Sequence, residues 1–191
     1  MESRNITSPN QHVFREGRSI DTAIHSLINR IKDAKRISKH VLVPSIDIKG
    51  ALENLQHQAI INSIIRKGAP DNIVQIFISP LRNRLVAIQT PRSKVSKEQG
   101  KGCPQGSCSG PALWNLVAND ILTQHWTAKV FIQAFTDDFG LVIYSNVLSK
   151  LKLETQQALH KLKDCTQSNK LQVSPEKTNY ILIWKTVASI R

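Results

Sequence analysis

Three aspartates stand beside short apolar runs of the sequence. Asp47 closes the run that begins at Val41, and the pair Asp137-Asp138 joins two further runs, 130–135 and 139–144. If these runs are neighbouring strands, three carboxylates converge at one end of a sheet and repel one another unless protons or cations neutralise them. Magnesium prefers such oxygen ligands. Two magnesium ions about 3.5–4 Å apart can activate an attacking hydroxyl and stabilise the leaving oxygen of a phosphoryl transfer.

Each acidic feature also has a simpler reading. An aspartate after a strand is usually a helix cap, and adjacent aspartates between strands usually form a turn. Spacing alone does not separate nucleotide polymerisation from nuclease or phosphatase chemistry.

The elements that must position these aspartates follow from hydrophobic periodicity and from the glycines and prolines that interrupt it. Helices are predicted from Ser19 through the pattern IDTAIHSLINRIKDAKRI, from Gly50 to Ile65, from Pro70-Asp71 to Pro80, from Pro111 to about Trp126, and over 148–168. Strands are predicted over 41–48, 84–89, 92–96, 130–135, 139–144, 171–173 and 180–184. Helices and strands interleave, which predicts an α+β fold with a mostly antiparallel sheet.

The chain is strongly basic, with 26 Lys and Arg residues against 14 Asp and Glu residues and a net charge of +12. Such a surplus attracts polyanions, because neutralising phosphates releases condensed counterions. Nucleic acid is the favoured partner, and a soluble basic surface is the alternative. The most basic stretch is 82–101.

The cysteines and the hydropathy of the chain indicate its cellular compartment. The three cysteines, Cys103, Cys108 and Cys165, form no paired CxxC knuckles, so we expect free thiols in a reducing compartment. No apolar stretch is long enough to span a bilayer, and the start lacks the apolar segment of a secretory signal. We therefore expect an intracellular protein, nuclear or cytoplasmic, with no membrane partner.

Five segments resemble the reverse transcriptases of non-LTR retrotransposons, in the order and at the intervals that this family keeps. The segment 47–55, DIKGALENL, resembles the family's DIKGAFDNL, and 101–107 with the following GP and LWNL resembles GCPQGS…GP.LWN. The string AFTDD at 134–138 resembles the Y/F-A-D-D hairpin, LQVSPEKT at 171–178 resembles the lysine-bearing segment, and QHVFREGRS at 11–19 resembles QxGFRxGRS. The closest likeness is to the jockey and R-element branch of LINE-like elements.

The resemblance implies a palm-type antiparallel sheet packed on helices, as part of a right-hand polymerase with part of the fingers and no thumb. It implies a tail at 1–8, a partial reverse transcriptase domain at 9–186 and a second tail at 187–191. The implied activity is RNA-directed DNA synthesis, in which an RNA template, a DNA primer and deoxynucleoside triphosphates meet two Mg²⁺ ions, with Mn²⁺ as a possible substitute.

Individual residues inherit roles from the same resemblance. The metal ligands would be Asp47, Asp137 and Asp138 with the backbone carbonyl of Ile48, and Lys177 would lie near the incoming phosphates. Template and nucleotide would be contacted by Leu52, Gln105, Gly106, Arg15 and Arg18. For Lys177 a solvated turn lysine, and for the arginines an ordinary surface position, remain the alternatives.

Several residues depart from the family's pattern. Leu52 replaces the aromatic residue that abuts the sugar, Thr136 replaces an alanine beside the metal site, and Pro44 removes a donor from a strand that should be central. Glu53, Pro80 and Ser109 are further departures. Fingers and thumb provide much of the positioning in phosphoryl transfer, and the resemblance implies only part of the fingers and no thumb. A catalytically silent remnant that binds nucleic acid is therefore the alternative to an active enzyme.

Overall fold

The computed structural model describes residues 7–103 and 109–184, which form helices packed against an antiparallel sheet. The helices are α1 (Ile20–Ile37), α2 (His57–Arg66), α3 (Asp71–Ile78), α4 (Ser109–Leu122) and α5 (Leu148–Ser168), with a short 3-10 turn at Ser79–Leu81 after α3. The strands are β1 (His40–Asp47), β2 (Leu85–Gln89), β3 (Lys94–Glu98), β4 (Val130–Phe135), β5 (Asp138–Ser145) and β6 (Asn179–Trp184). The predicted α+β class is confirmed.

Four strands form the main sheet in the order β4-β5-β1-β6, with every neighbouring pair antiparallel. Side chains alternate across β1, so its two faces enter different cores. Ile46 packs into the larger cluster with residues of α2, α4 and α5, whereas Val41 and Val43 pack with Ala34 of α1. The helices therefore fix both faces of the strand that ends at Asp47.

Pro44 lies buried inside β1 without displacing the strand. The pairing with β5 passes from Leu42↔Ile143 to Ser45↔Gly140 in one register, and the pairing with β6 continues through Pro44↔Tyr180. The β5 ladder skips Val43 and Pro44, as expected if the missing N–H would have faced that strand. The strand therefore accommodates Pro44 with a local gap in one ladder and without a bulge.

Several predicted boundaries were wrong. The helix expected from Pro111 to about Trp126 spans Ser109–Leu122, and the strand expected over 92–96 spans Lys94–Glu98. The helix expected from Gly50 begins at His57, because Gly50 has a left-handed φ of +55° and the chain turns there before α2. The strand expected over 171–173 is reduced to a single bridge between Val173 and Ile48, because the backbone of Ser174 enters a turn directly afterwards.

The N-terminal segment covers the outer edge of β4. Gln11 forms a parallel bridge with Ala134, and its side-chain amide donates to Asn115 Oδ1 at 2.7 Å. The expected tail at 1–8 lies mostly outside the described residues, but Ser8 is buried and its backbone N–H donates to Asn119. The expected tail at 187–191 lies wholly outside them. Among the described helices, none is long and apolar enough to cross a membrane.

Candidate active site

Sheet register brings the predicted aspartates to one end of the sheet. Asp47, the last residue of β1, is the cross-strand partner of Asp138, the first residue of β5. Side chains directly opposite each other in an antiparallel pair share a face, with Cβ atoms about 4.5–5.5 Å apart. Asp137 lies in the two-residue turn directly before Asp138, and its carbonyl accepts a hydrogen bond from the Ile48 N–H at 3.0 Å. The predicted convergence of strand 41–48 and the hairpin is therefore present.

Asp47 is more enclosed than its cross-strand partner Asp138. Its side chain is 15% exposed, and its Oδ2 is buried with no hydrogen-bond partner among the described residues. A buried carboxylate oxygen without a partner is costly. Its position therefore calls for a cation or a proton donor.

Asp138, on the other side of the pair, is more exposed than Asp47, but its carboxylate lies among the same charges. Burial, together with the like charges of Asp47 and Asp137, raises the pKa of Asp138, while Lys177 acts in the opposite direction. Carboxylates that crowd each other in this way fit a divalent cation by charge and by ligand type. The described residues nevertheless include no group of three or more His, Cys, Asp or Glu side chains placed closely enough to hold a metal ion.

The lysine-bearing segment reaches the same point. Lys177 Nζ lies 3.8 Å from Asp47 Oδ1, and the Ser174 N–H donates to the Asp47 carbonyl at 2.9 Å. Ser174 is buried, and its hydroxyl donates to Glu176, which fixes the turn that carries the lysine. The Lys177 side chain itself is largely exposed.

Thr136, the first residue of the turn before the aspartates, has a left-handed φ of +51°. A β-branched residue adopts this conformation at a cost of about 1–2 kcal/mol. The Thr136 carbonyl accepts from the indole Nε1 of Trp114 at 2.7 Å, and Trp114 is almost completely buried in α4. The buried indole of Trp114 therefore holds the strained turn through this hydrogen bond.

We expect Thr136→Asn to raise the free energy of unfolding by about 1 kcal/mol, because asparagine tolerates a left-handed φ much better than threonine. Urea denaturation measures the change. Thr136→Val is the matched control, since it keeps the branched Cβ and should bring no gain. Equal stability of the wild-type protein and the asparagine variant would contradict the strain.

The raised pKa of Asp138 predicts a pH-dependent stability. In the metal-free chain with a chelator present, Asp138→Asn should raise the free energy of unfolding at neutral pH, because it removes a carboxylate that repels its neighbours. A raised folded-state pKa means that the wild-type protein gains stability as it binds a proton. The advantage of the variant should therefore shrink as the pH falls through that raised pKa.

Asp120 provides a control of opposite sign. Burial opposes ionisation of Asp120, but hydrogen bonds from Arg66 and Lys67 more than offset it and lower its pKa. Asp120→Asn should therefore destabilise the chain at neutral pH, and the loss should fade as the pH falls through the lowered pKa. Chemical denaturation over a pH series measures both variants, and an Asp138→Asn advantage that persists in acid would refute the repulsion between the aspartates.

The segment 100–103 docks on the turn that follows Asp47. The Cys103 N–H donates to the Leu52 carbonyl at 2.9 Å, and the Gly102 N–H donates to Leu55 at 2.8 Å. Gly102 has φ +87°, and a Cβ there would lie 2.9 Å from the Glu53 carbonyl, so this contact requires glycine. Leu52 is thereby placed beside Cys103. Gln105 and Gly106 lie outside the described residues.

The two arginines of the N-terminal segment have different surroundings. Arg15 donates from Nη1 to the Ser8 carbonyl at 2.6 Å, so its guanidinium fastens the segment that lies along β4. Arg18 is exposed. Both charges, after burial, contribute to the lowered pKa of His12.

Two features of the site were missed in the sequence. The motif that contains Trp114 does not indicate that its indole donates to the turn, and it does not indicate that Asn115 and Asn119 hold the N-terminal segment. Amide side chains within the apolar run of α4 were the available signal, because buried polar groups require partners.

An antiparallel sheet with helices on its faces and carboxylates converging at one end defines a polymerase palm. Solved structures agree with this fold: telomerase from Candida tropicalis superimposes with a TM-score of 0.68 at 13% identity over 86% of this chain and 29% of that one. Telomerase from Candida albicans gives a TM-score of 0.57 at 13% identity, over 86% and 31% of the two chains.

The reverse transcriptase (RNA-dependent DNA polymerase) family model matches residues 1–189. The chain belongs to this family, and its relatives are polymerases of non-LTR retrotransposons. The Pol polyprotein of the type-1 retrotransposable element R1 of Bradysia coprophila is 32% identical over 92% of this chain. The probable RNA-directed DNA polymerase from transposon BS of Drosophila melanogaster is 25% identical over all of it. The chain spans 17% and 22% of these two relatives.

Proposed function

We propose that this chain is the palm of an RNA-directed DNA polymerase, which adds deoxynucleotides to the 3′ hydroxyl of a DNA primer along an RNA template. The observation that carries the proposal is the pairing of Asp47 with Asp138, with Ile48 tied to the carbonyl of Asp137. Three carboxylates at the end of a rigid sheet are suited to phosphoryl transfer, where positioning and charge provide most of the catalysis.

Two divalent ions, Mg²⁺ or in its place Mn²⁺, would be held by Asp47, Asp137 and Asp138 with the carbonyl of Ile48. When bound, such ions activate the attacking hydroxyl and neutralise the charge that develops on the phosphates. In an extended strand, the carbonyl of a residue lies on the same edge as its N–H. The Ile48 carbonyl thus lies on the edge that faces the β4–β5 turn, where it is available as a ligand.

The remaining residues bind and orient the reactants. Lys177, beside Asp47, would stabilise the incoming triphosphate and donate a proton to the leaving pyrophosphate. Leu52, partly buried behind the segment 100–103, would abut the sugar of the nucleotide, and we expect its slim, flexible side chain to exclude ribose poorly. Gln105 and Gly106 would line the template and the incoming base, and the exposed Arg18 is better placed than Arg15 for template phosphates.

The second candidate is a catalytically silent remnant that binds nucleic acid. The observation that favours it is that no three acidic side chains among residues 7–103 and 109–184 lie closely enough to hold a metal ion. The strained backbone of Thr136, directly before Asp137, is consistent with aspartate side chains that do not lie close enough together to hold an ion.

Primer extension on an RNA template separates the two candidates. The active palm predicts magnesium-dependent extension by the wild-type chain and none by Asp47→Asn. Equal traces of extension from both proteins would identify a contaminating polymerase and support the silent remnant.

A further inference from the structure

The hairpin of β2 and β3 stands apart from the packed body of the protein. Every residue of both strands is exposed. The strands pair from Leu85↔Glu98 to Gln89↔Lys94, and Thr90 and Ser93 close the turn with mutual backbone hydrogen bonds. An isolated two-stranded hairpin is marginally stable in water, so this element is poorly supported by the described chain alone.

We name residues 82–101 the basic hairpin because of its charge. It carries six basic residues against Glu98 as its one acid, namely Arg82, Arg84, Arg92, Lys94, Lys97 and Lys101. Lys97 lies opposite Val86 on one face, Lys94 lies opposite Gln89 on the other, and Arg92 lies in the turn. The positive charge therefore surrounds the element instead of marking one face.

Apolar side chains are exposed within this positive field. Val86, Ile88 and Val95 share a face and are 49%, 66% and 65% exposed, and Ile88 is the cross-strand partner of Val95. A partner that covers this face must tolerate cations on every side. A protein surface would have to supply matching acids around an apolar centre, whereas a nucleic-acid backbone supplies regularly spaced phosphates, and the carbon atoms of the sugars between them can contact the apolar side chains.

The base of the basic hairpin is fixed to the candidate active site. Lys101 Nζ donates to Asn54 Oδ1 at 2.8 Å, and Gln56 forms a bridge with Lys101. His57 Nε2 lies 2.9 Å from the Gly102 carbonyl. The base of the hairpin is therefore attached to the segment that follows Asp47, so the hairpin begins next to the candidate active site.

We propose that the basic hairpin binds the sugar–phosphate backbone of the RNA template. The choice of RNA rests on the proposed function, while the contact itself rests on the exposure, charge and attachment of the hairpin. Exposed cations contribute to such binding mainly through counterion release, so the contact should add salt dependence and little sequence preference.

The test is the affinity of the full chain for a labelled single-stranded RNA, measured by fluorescence anisotropy over a salt series with a chelator present. The variant replaces Arg92, Lys94 and Lys97 by glutamine, and all three are exposed. We expect roughly tenfold weaker binding at low salt, and a slope of log affinity against log salt that is shallower by about 2, at roughly 0.7 for each phosphate contact.

The matched control replaces Lys32, Lys35 and Lys39 by glutamine. These exposed lysines precede β1 at the end of the sheet opposite Asp47, and the control removes the same net charge. An equal loss in both triple variants would reduce the effect to overall charge and overturn the proposal. Unchanged RNA binding by the hairpin variant would also overturn it and favour a protein partner for the exposed face.

Failure of this proposal is distinguishable from failure of the proposed function. The binding assay contains no metal and no nucleotide, so its outcome does not depend on catalysis by the aspartates. If the hairpin variant binds normally while the wild-type chain still extends a primer, the hairpin proposal fails alone. If the wild-type chain binds no RNA, both fail together.

Discussion

Asp47→Asn is expected to abolish magnesium-dependent primer extension and to weaken magnesium binding, while the chain keeps its fold. Asparagine preserves the shape of the side chain but removes the charge that a divalent cation requires. Metal ions provide several kcal/mol of transition-state stabilisation, and every 1.36 kcal/mol is a factor of ten in rate. A loss of roughly a thousandfold or more in the extension rate follows from these magnitudes.

The fold should survive because Asp47 contributes little to stability. Among the described residues, its one ion pair is the 3.8 Å contact with the largely exposed Lys177, and pairs of that kind contribute about 0–1 kcal/mol. Its buried Oδ2 has no hydrogen-bond partner among the described residues, so the charge of Asp47 destabilises the metal-free protein. Urea denaturation in chelator should show equal or slightly higher stability for Asp47→Asn.

Metal binding provides a readout that does not depend on turnover. Mn²⁺ titration followed by electron paramagnetic resonance should show bound ion with the wild-type chain and much less with Asp47→Asn. Asp33→Asn is the matched control, because Asp33 lies on the exposed face of α1 and pairs with Arg36 at 3.6 Å. Equal Mn²⁺ binding by the wild-type protein and Asp47→Asn would refute the metal site, whatever the extension assay shows.

The meeting of the aspartates was predictable because it depends on features that a sequence records. Apolar runs with β-branched residues mark β1, β4 and β5, and the acidic pair lies where the short connection after β4 passes into β5. Once the strands pair in antiparallel register, Asp47 and Asp138 must become neighbours. The helical spacing of apolar residues also defined α1 closely, although several of its isoleucines are exposed. The helix predicted over 148–168 matches α5.

The support beneath the turn was not predictable from the same patterns. The indole of Trp114 reaches the Thr136 carbonyl across α4 and β4, and such a contact depends on the distance between elements and not on spacing within either. The left-handed φ of Thr136 is equally hidden, because threonine seldom adopts it. The start of α2 was predicted wrongly at Gly50 for a related reason, since a glycine within an apolar pattern does not show whether the chain turns there.

Trp114 is expected to be the most consequential side chain outside the carboxylates. Trp114→Ala should cost about 3–5 kcal/mol in the free energy of unfolding, because it empties the space of a large side chain that is 1% exposed within the main core. Trp114→Phe keeps most of the ring but removes the donor to Thr136. The unpaired carbonyl should then cost about 1–3 kcal/mol, measured by urea denaturation.

Trp126→Phe separates a positioning role of Trp114 from simple loss of stability. Trp126 also donates from its indole to a backbone carbonyl, that of Ile121 at 3.3 Å, but away from the aspartates. If Trp114 positions the turn, Trp114→Phe should weaken Mn²⁺ binding while Trp126→Phe leaves it unchanged, when both are measured under conditions where the chains are folded. Because Thr136 directly precedes Asp137, loss of its donor frees the turn and relaxes the spacing between Asp137, Asp138 and Asp47. Unaltered Mn²⁺ affinity in Trp114→Phe would show that the indole supports the core alone and that strand pairing suffices to hold the carboxylates.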